Sequence, residues 1–169
     1  MPFEFKITRR VEFSETDMAG IMHFSNFFRF METAEHALFR SLGLSVVLSR
    51  HGPSLHLPRA HAACDYLAPL HFEDEVLVHL LVQKKGSRSL TYQFRFYKIN
   101  APKPVEVARG CLTVVSAEAQ ADGQFRAVAL PKVLVDALQQ APAEMLGPMR
   151  ADAERTKSSP REETVAASH

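Results

Sequence analysis

The sequence predicts one α+β domain. Three observations support this prediction: an alternating apolar segment at the start, one long amphipathic helix, and four or five further alternating segments after it. The helix has a single apolar stripe, and an antiparallel sheet needs one face covered, so a sheet wrapped around the helix satisfies both. We expect this domain to span residues 1–141. Residues 142–169 are predicted to be a disordered C-terminal tail, because they lose periodicity and gain Pro, Ser, Glu and Ala.

The strands are predicted where apolar residues recur at every second position. The first alternating segment covers residues 3–13, with Arg9 interrupting its apolar face. The later strands are predicted at residues 60–68, 75–84, 89–98 and 105–116, with a short edge strand at 125–130. Gly, Pro and Asn clusters between these segments have the chemistry of turns.

Between the first and second strands, the apolar period changes to that of a helix. The predicted helix covers residues 25–42, about five turns, and ends before Gly43. Its apolar face contains Phe27, Met31, Ala34, Leu38 and Leu42, with Phe30 beside them. Residues 45–60 have the composition of a loop, and residues 131–140 are predicted to form a short second helix.

Composition narrows the possible partners. The chain has 20 Lys and Arg against 19 Asp and Glu, a formal net charge of +1, so no overall field favours nucleic acid or an anionic membrane. No apolar run approaches the ~18 residues that a membrane span needs. With two cysteines and no apolar leader segment, we expect a reduced, cytoplasmic protein.

Several common catalytic motifs are absent from the sequence. It has no GxSxG, no glycine-rich nucleotide loop and no HExxH. His51, His56 and His61 recur every five residues, a spacing that gives no shared face on a helix or strand, so we predict no metal site. Cys64 lies in an apolar strand without a basic neighbour, which favours a buried, inert thiol over a nucleophile.

Asp17 is the candidate catalytic residue, because it lies in the turn between a strand and the long helix. Gly20 allows the backbone of this turn to approach a ligand closely. The first turn of the helix, residues 24–27, offers backbone N–H groups that can stabilise an oxygen gaining negative charge. A carboxylate there can attack a carbonyl or activate water. The residues alone nevertheless favour the simpler interpretation that Asp17 caps the turn.

A resemblance to a known family favours the catalytic interpretation of Asp17. The region resembles the signature of the 4-hydroxybenzoyl-CoA thioesterase family of the hotdog superfamily. The matching residues are Arg10, Val11, Thr16, Asp17, Gly20, Ile21, Met22, Phe24, Phe27 and Glu32. Met22 stands where Val is commoner. Weaker similarity at residues 64–75 and 84–90 extends the resemblance over roughly residues 5–130.

The resemblance implies a hotdog fold, a curved antiparallel sheet wrapped around one long helix, and hydrolysis of a CoA or carrier-protein thioester. Asp17 matches the family's essential carboxylate, which acts as nucleophile or general base. Gly20 would keep the turn tight, and the backbone N–H near Phe24 would polarise the thioester carbonyl. The family commonly has Tyr or His at position 24, and the ring of Phe cannot donate. His23 is a candidate to compensate, and Glu32 a candidate to contact the acyl group.

The phosphates of CoA need cations. Lys84, Lys85 and Arg88 cluster at a predicted hairpin, and Arg126 lies further along the chain. Each could equally be a solvated surface residue. The resemblance further implies a homodimer or homotetramer with active sites between subunits. We predict no cofactor, since CoA is part of the substrate.

Two alternatives to an acyl-CoA thioesterase remain open at this point. One is a hotdog module that binds an acyl thioester without cleaving it, which the presence of Asp17 and Gly20 disfavours. The other is a hotdog dehydratase acting on carrier-bound chains, which normally uses a His paired with a carboxylate on the helix. The sequence does not specify the acyl group.

Overall fold

The computed structural model describes residues 1–47 and 55–149. One long helix, α1 (Ser25–Ser41), packs against a five-stranded antiparallel sheet in the order β1-β4-β5-β6-β3. The strands of this sheet are β1 (Glu4–Arg10), β3 (Arg59–Tyr66), β4 (Glu75–Lys85), β5 (Ser89–Lys98) and β6 (Val105–Val115). The architecture is the predicted α+β sheet around a helix.

A smaller sheet and a second helix complete the described fold. The small sheet joins β2 (Leu55–His56), β7 (Ala117–Ala119) and β8 (Phe125–Ala127), and α2 spans Lys132–Ala137. The predicted edge strand at residues 125–130 is therefore shorter, and it belongs to this second sheet. Of the loop predicted at residues 45–60, residues 48–54 lie outside the described residues. The rest includes β2 and the start of β3, because short backbone pairings with β7 and β6 leave no periodic signal in the sequence.

The core lies between α1 and the concave face of the large sheet. The alternating apolar residues predicted for β4 and β5 are all fully buried: Val76, Val78, Leu80, Val82, Leu90, Tyr92, Phe94 and Phe96. The predicted helical face is buried as well, except for Leu42, which is half-buried. Two polar residues of α1, Asn26 and Glu35, are also buried, which the apolar pattern did not indicate.

Gly110 of β6 allows α1 to lie close to the sheet. A Cβ at this position would collide with the sulfur of Met31, a fully buried residue of α1. The absence of a side chain at Gly110 is therefore a packing requirement for the helix.

The first strand ends earlier than its alternation predicts. β1 stops at Arg10, and Phe13–Glu15 forms a 3-10 turn in which Glu12 and Glu15 each bond the other's backbone. Arg9 lies on the inner side, where its guanidinium stacks 4.6 Å from the ring centre of Phe30. The interruption of the apolar face is thus accommodated by a cation–π contact.

Residues 142–149 pack on the outer face of the large sheet. Gln93 of β5 exchanges two hydrogen bonds with Gly147, at 2.6 and 2.8 Å. Arg95 donates to the carbonyl of Met145 at 3.0 Å. The first part of the predicted tail is thus ordered against the sheet, because these polar side chains bind its backbone. The remainder of the tail, residues 150–169, lies outside the described residues.

Candidate active site

The Asp17 turn is closed by backbone hydrogen bonds. Asp17 N–H donates to the carbonyl of Ile21 at 3.0 Å, and Gly20 N–H donates to the carbonyl of Asp17 at 2.9 Å. Gly20 has φ +74°, a conformation in which a side chain would be strained. The turn therefore needs glycine at this position for its backbone shape, as the sequence suggested.

Two hydrogen bonds to one carbonyl fix this turn to the start of α1. The carbonyl of Glu15 accepts one hydrogen bond from His23 N–H and one from the buried side chain of Asn26, both at 2.8 Å. The Nδ1 atom of His23 lies 2.9 Å from the hydroxyl of Ser25. Sequence reasoning missed Asn26, since a polar residue at a buried helical position gives no sign of its partner eleven residues away.

The carboxylate of Asp17 is exposed and only partly engaged. Its Oδ1 accepts a hydrogen bond from the backbone N–H of Ala19 at 2.8 Å. Within residues 1–47 and 55–149, no group bonds its Oδ2. One oxygen thus orients the side chain, while the other is available to a substrate or a water molecule.

Asp17 borders a pocket of about 460 Å³ between the start of α1 and the segment after β3. The pocket walls are mostly apolar and aromatic: Ile21, Met22, Phe24, Phe27, Tyr66, Leu67, Ala68, Pro69 and Leu70. A concave apolar site with few polar groups is the usual form of a small-molecule site. Of the predicted substrate residues, Asp17 and Phe24 share this pocket.

Phe24 places a backbone donor at the pocket. It precedes the first residue of α1, and its ring is 57% exposed. In the described part of the chain, the Phe24 N–H has no acceptor. By contrast, the N–H groups of Asn26 and Phe27 donate to the carbonyls of His23 and Phe24, respectively. An unused N–H at the positive end of a helix dipole can stabilise a developing oxyanion.

The other predicted substrate residues lie away from the pocket walls. Gly20 shapes the turn, and the ring of His23 contacts that of Phe24 at 4.5 Å between centroids. Glu32 lies eight residues after Phe24, which is about 12 Å along α1 at the helical rise. It borders a separate pocket and lies 3.5 Å from Arg59. Its contact with the acyl group stays a prediction.

The four predicted phosphate-binding cations differ in their hydrogen bonds and ion pairs to the rest of the protein. The ammonium of Lys85 contacts the carbonyls of Val135 and Leu138, at 2.6 and 2.5 Å. Arg126 pairs with Glu118 at 3.2 Å. Lys84 and Arg88 are exposed and form no ion pair with any residue that the structure describes. Their role toward CoA stays a prediction, and Lys84 and Arg88 are the more available pair.

Among the residues that the structure describes, Cys64 and the other histidines do not line the pocket. His51 lies outside the described residues, and His56 packs edge-on against Phe125. Burial raises the pKa of the Cys64 thiol to about 12, so the sulfur is protonated at neutral pH. No described helix is both long enough and apolar enough to cross a membrane.

Comparison with known proteins identifies the family. The profile of the thioesterase-like superfamily matches residues 11–138. This chain belongs to the thioesterase-like superfamily. A 1,4-dihydroxy-2-naphthoyl-CoA hydrolase of Synechococcus sp. (strain CC9902) is 31% identical over 121 residues, covering 68% of this chain and 77% of the relative. Membership of this superfamily confirms the predicted class of enzyme, a thioester hydrolase.

Solved structures confirm the fold. A 1,4-dihydroxy-2-naphthoyl-CoA thioesterase from Synechocystis matches 80% of this chain and 95% of its own, with a TM-score of 0.71 and 23% identity. The 4-hydroxybenzoyl-CoA thioesterase from Pseudomonas sp. strain CBS-3 covers 80% of this chain and 99% of its own, with a TM-score of 0.71 and 17% identity. The predicted hotdog fold is therefore correct.

Proposed function

We propose that this chain hydrolyses aryl CoA thioesters to the free acid and CoA, with Asp17 as the catalytic carboxylate. The observation that carries the proposal is the shared pocket of Asp17 and Phe24 at the amino terminus of α1. It unites a carboxylate, an unused backbone N–H and an apolar wall. The curated relative hydrolyses 1,4-dihydroxy-2-naphthoyl-CoA, an aryl thioester, which supports the same substrate class here.

The chemistry requires two roles at the thioester carbonyl. Asp17 attacks the carbonyl carbon or takes a proton from the attacking water, and its free Oδ2 is the atom placed to do so. The Phe24 N–H polarises the carbonyl oxygen, assisted by the dipole of α1. If Asp17 attacks, the thiolate of CoA leaves as a mixed anhydride forms on Asp17, and water then hydrolyses that anhydride to the free acid and the carboxylate. If Asp17 acts as general base, the activated water itself displaces the thiolate and the free acid forms in one step. In this proposal no cofactor takes part.

The pocket walls favour an aromatic acyl group. Phe24 and Phe27 supply flat apolar surfaces, and the volume of about 460 Å³ accommodates one or two fused rings. The CoA phosphates would contact Lys84 and Arg88, and the enzyme would act as a cytoplasmic homodimer or homotetramer.

A panel of thioesters tests the reaction. Benzoyl, hydroxybenzoyl, hydroxynaphthoyl, acetyl and hexanoyl-CoA are incubated with the protein, and released CoA is measured with a thiol reagent. We expect turnover of the aryl thioesters to exceed that of the aliphatic ones. A protein that bound these compounds and released no CoA from any of them would be a binding module instead.

The Asp17→Asn variant tests the catalytic assignment. Asparagine keeps the size and polarity but can neither attack nor accept a proton effectively, so we expect kcat to fall by about 10²–10⁴-fold. Asp122→Asn is a matched control, because Asp122 is also a turn-capping carboxylate, bound to Gln124 N–H at 3.0 Å. If both variants kept wild-type turnover, Asp17 would only cap its turn.

A further inference from the structure

The pocket at Asp17 contains one polar side chain that the sequence analysis did not single out. Among the described residues that line it, only Asp17 and Tyr66 carry polar side-chain atoms. Tyr66 is the last residue of β3, and nothing in the alternation of that strand distinguishes it from a surface residue. A substrate in the pocket therefore meets a single neutral side-chain hydroxyl.

The ring of Tyr66 is anchored, while its hydroxyl has only weak acceptors, the thiol of Cys64 and the carbonyl of Phe24. The ring packs edge-on against Phe27, with centroids 5.3 Å apart, and Phe27 packs in turn on Phe96 of the core. The hydroxyl lies 3.5 Å from the carbonyl of Phe24, which is too long for a strong hydrogen bond. The proton of this hydroxyl is thus available to a better acceptor beside Phe24.

The hydroxyl is a donor and not a base at neutral pH. Burial raises the pKa of Tyr66 to about 12, and the neighbouring Cys64 adds to the shift. The phenol therefore keeps its proton at neutral pH. The ring of Phe24 carries no hydrogen-bond donor, so the Tyr66 hydroxyl is the one neutral side-chain donor among the described residues that line the pocket.

We propose that the Tyr66 hydroxyl donates a hydrogen bond to the thioester carbonyl oxygen, as a second donor beside the Phe24 N–H. This inference rests on the proposed hydrolysis at Asp17 and adds a catalytic residue to it. As negative charge develops on that oxygen, the bond strengthens, so Tyr66 acts on the transition state more than on the bound substrate.

The Tyr66→Phe variant removes the hydroxyl and keeps the ring contact with Phe27. We expect kcat to fall by about tenfold to a hundredfold, below the usual loss for one oxyanion donor because this hydroxyl is partly solvated. KM, the melting temperature and the pH profile should be unchanged. Tyr97→Phe is the matched control, because Tyr97 is half-buried on β5 and does not line the pocket.

A CoA thioether without the carbonyl oxygen separates this role from a structural one. It should inhibit the wild type and Tyr66→Phe equally, because it lacks the atom that Tyr66 contacts. Weaker inhibition of the variant, or wild-type kcat in the variant, would overturn the inference while leaving hydrolysis at Asp17 intact. If the wild type itself released no CoA from any thioester, the proposed function would fail first.

Discussion

Two polar sites adjoin α1 and differ in burial and in partners. At its amino terminus, exposed Asp17 sits on a turn whose backbone and Asn26 bonds are all formed. Further along, Glu35 is fully buried, with Arg59 of β3 at 2.5 Å from its Oε2. The hydroxyl of Tyr92, on β5, is buried beside the same carboxylate.

The comparison shows that the residues with shifted pKa values need not be the residues that carry out catalysis. Burial raises the pKa of Tyr92 well above its ordinary value, and the charge of Glu35 adds to this. Burial lowers the pKa of Arg59, but pairing with Glu35 outweighs it and the pKa rises. These shifts belong to an ion pair that ties α1 to β3. The proposed catalytic carboxylate lies instead where a substrate can reach it.

Breaking the buried pair should give the largest change in stability. Arg59→Leu leaves the carboxylate of Glu35 buried without its cation, and we expect a loss of about 3 kcal/mol. This is the lower end of the usual range, because the Arg59 side chain is 32% exposed. Urea unfolding measures the change. Arg126→Leu, which breaks the exposed pair with Glu118, should cost less than about 1 kcal/mol. Equal losses would mean that the buried pair is no stronger than a surface one.

Weakening the link between the Asp17 turn and α1 should lower stability less than breaking the Arg59 pair does, and should lower turnover more. Asn26→Ala removes one donor from the carbonyl of Glu15, and we expect a loss of about 1–2 kcal/mol. Because this bond fixes the turn that carries Asp17, kcat should fall as well. Thermal unfolding and steady-state kinetics measure the two effects. Ser41→Ala, at the other end of α1, should change neither; an Asn26→Ala enzyme with normal kcat would show that the turn is held without it.

The smallest predicted effect concerns His79 on β4, which belongs neither to the Asp17 turn nor to the buried pair. Burial lowers the pKa of His79, although Glu4 at 2.6 Å opposes the shift and Lys6 and Arg95 reinforce it. The folded protein thus favours neutral His79. Its contribution to stability is complete above the unfolded pKa of 6.5 and is lost as pH falls below that value toward the folded pKa.

His79→Gln should therefore flatten the dependence of unfolding free energy on pH just below 6.5. The measurement is a series of urea unfolding curves at several pH values. If the slope persisted in the variant, another group, such as one at either end of α1, would be responsible for it.

The sequence predicted the parts of the fold that depend on periodicity. The buried residues of β4, β5 and the apolar face of α1 follow from spacing alone. Asn26 and Glu35 could not be predicted, because each is buried by a partner distant in sequence, Glu15 and Arg59 respectively. Tyr66 was missed for the same reason, since only the fold brings the end of β3 to the Asp17 turn. Asp17 became a candidate from its place between a strand and the helix, but the residues alone favoured a turn cap, and the family signature was needed to favour catalysis.

Gly110 leaves room on β6 for the side chain of Met31. A methyl group at this position would meet the sulfur and the terminal methyl of Met31, the flexible end of that side chain. Met31 is fully buried, so it would have to find another rotamer inside a packed core. The volume available to the side chains under α1 is therefore set in part by a strand that contributes no described residue to the Asp17 pocket.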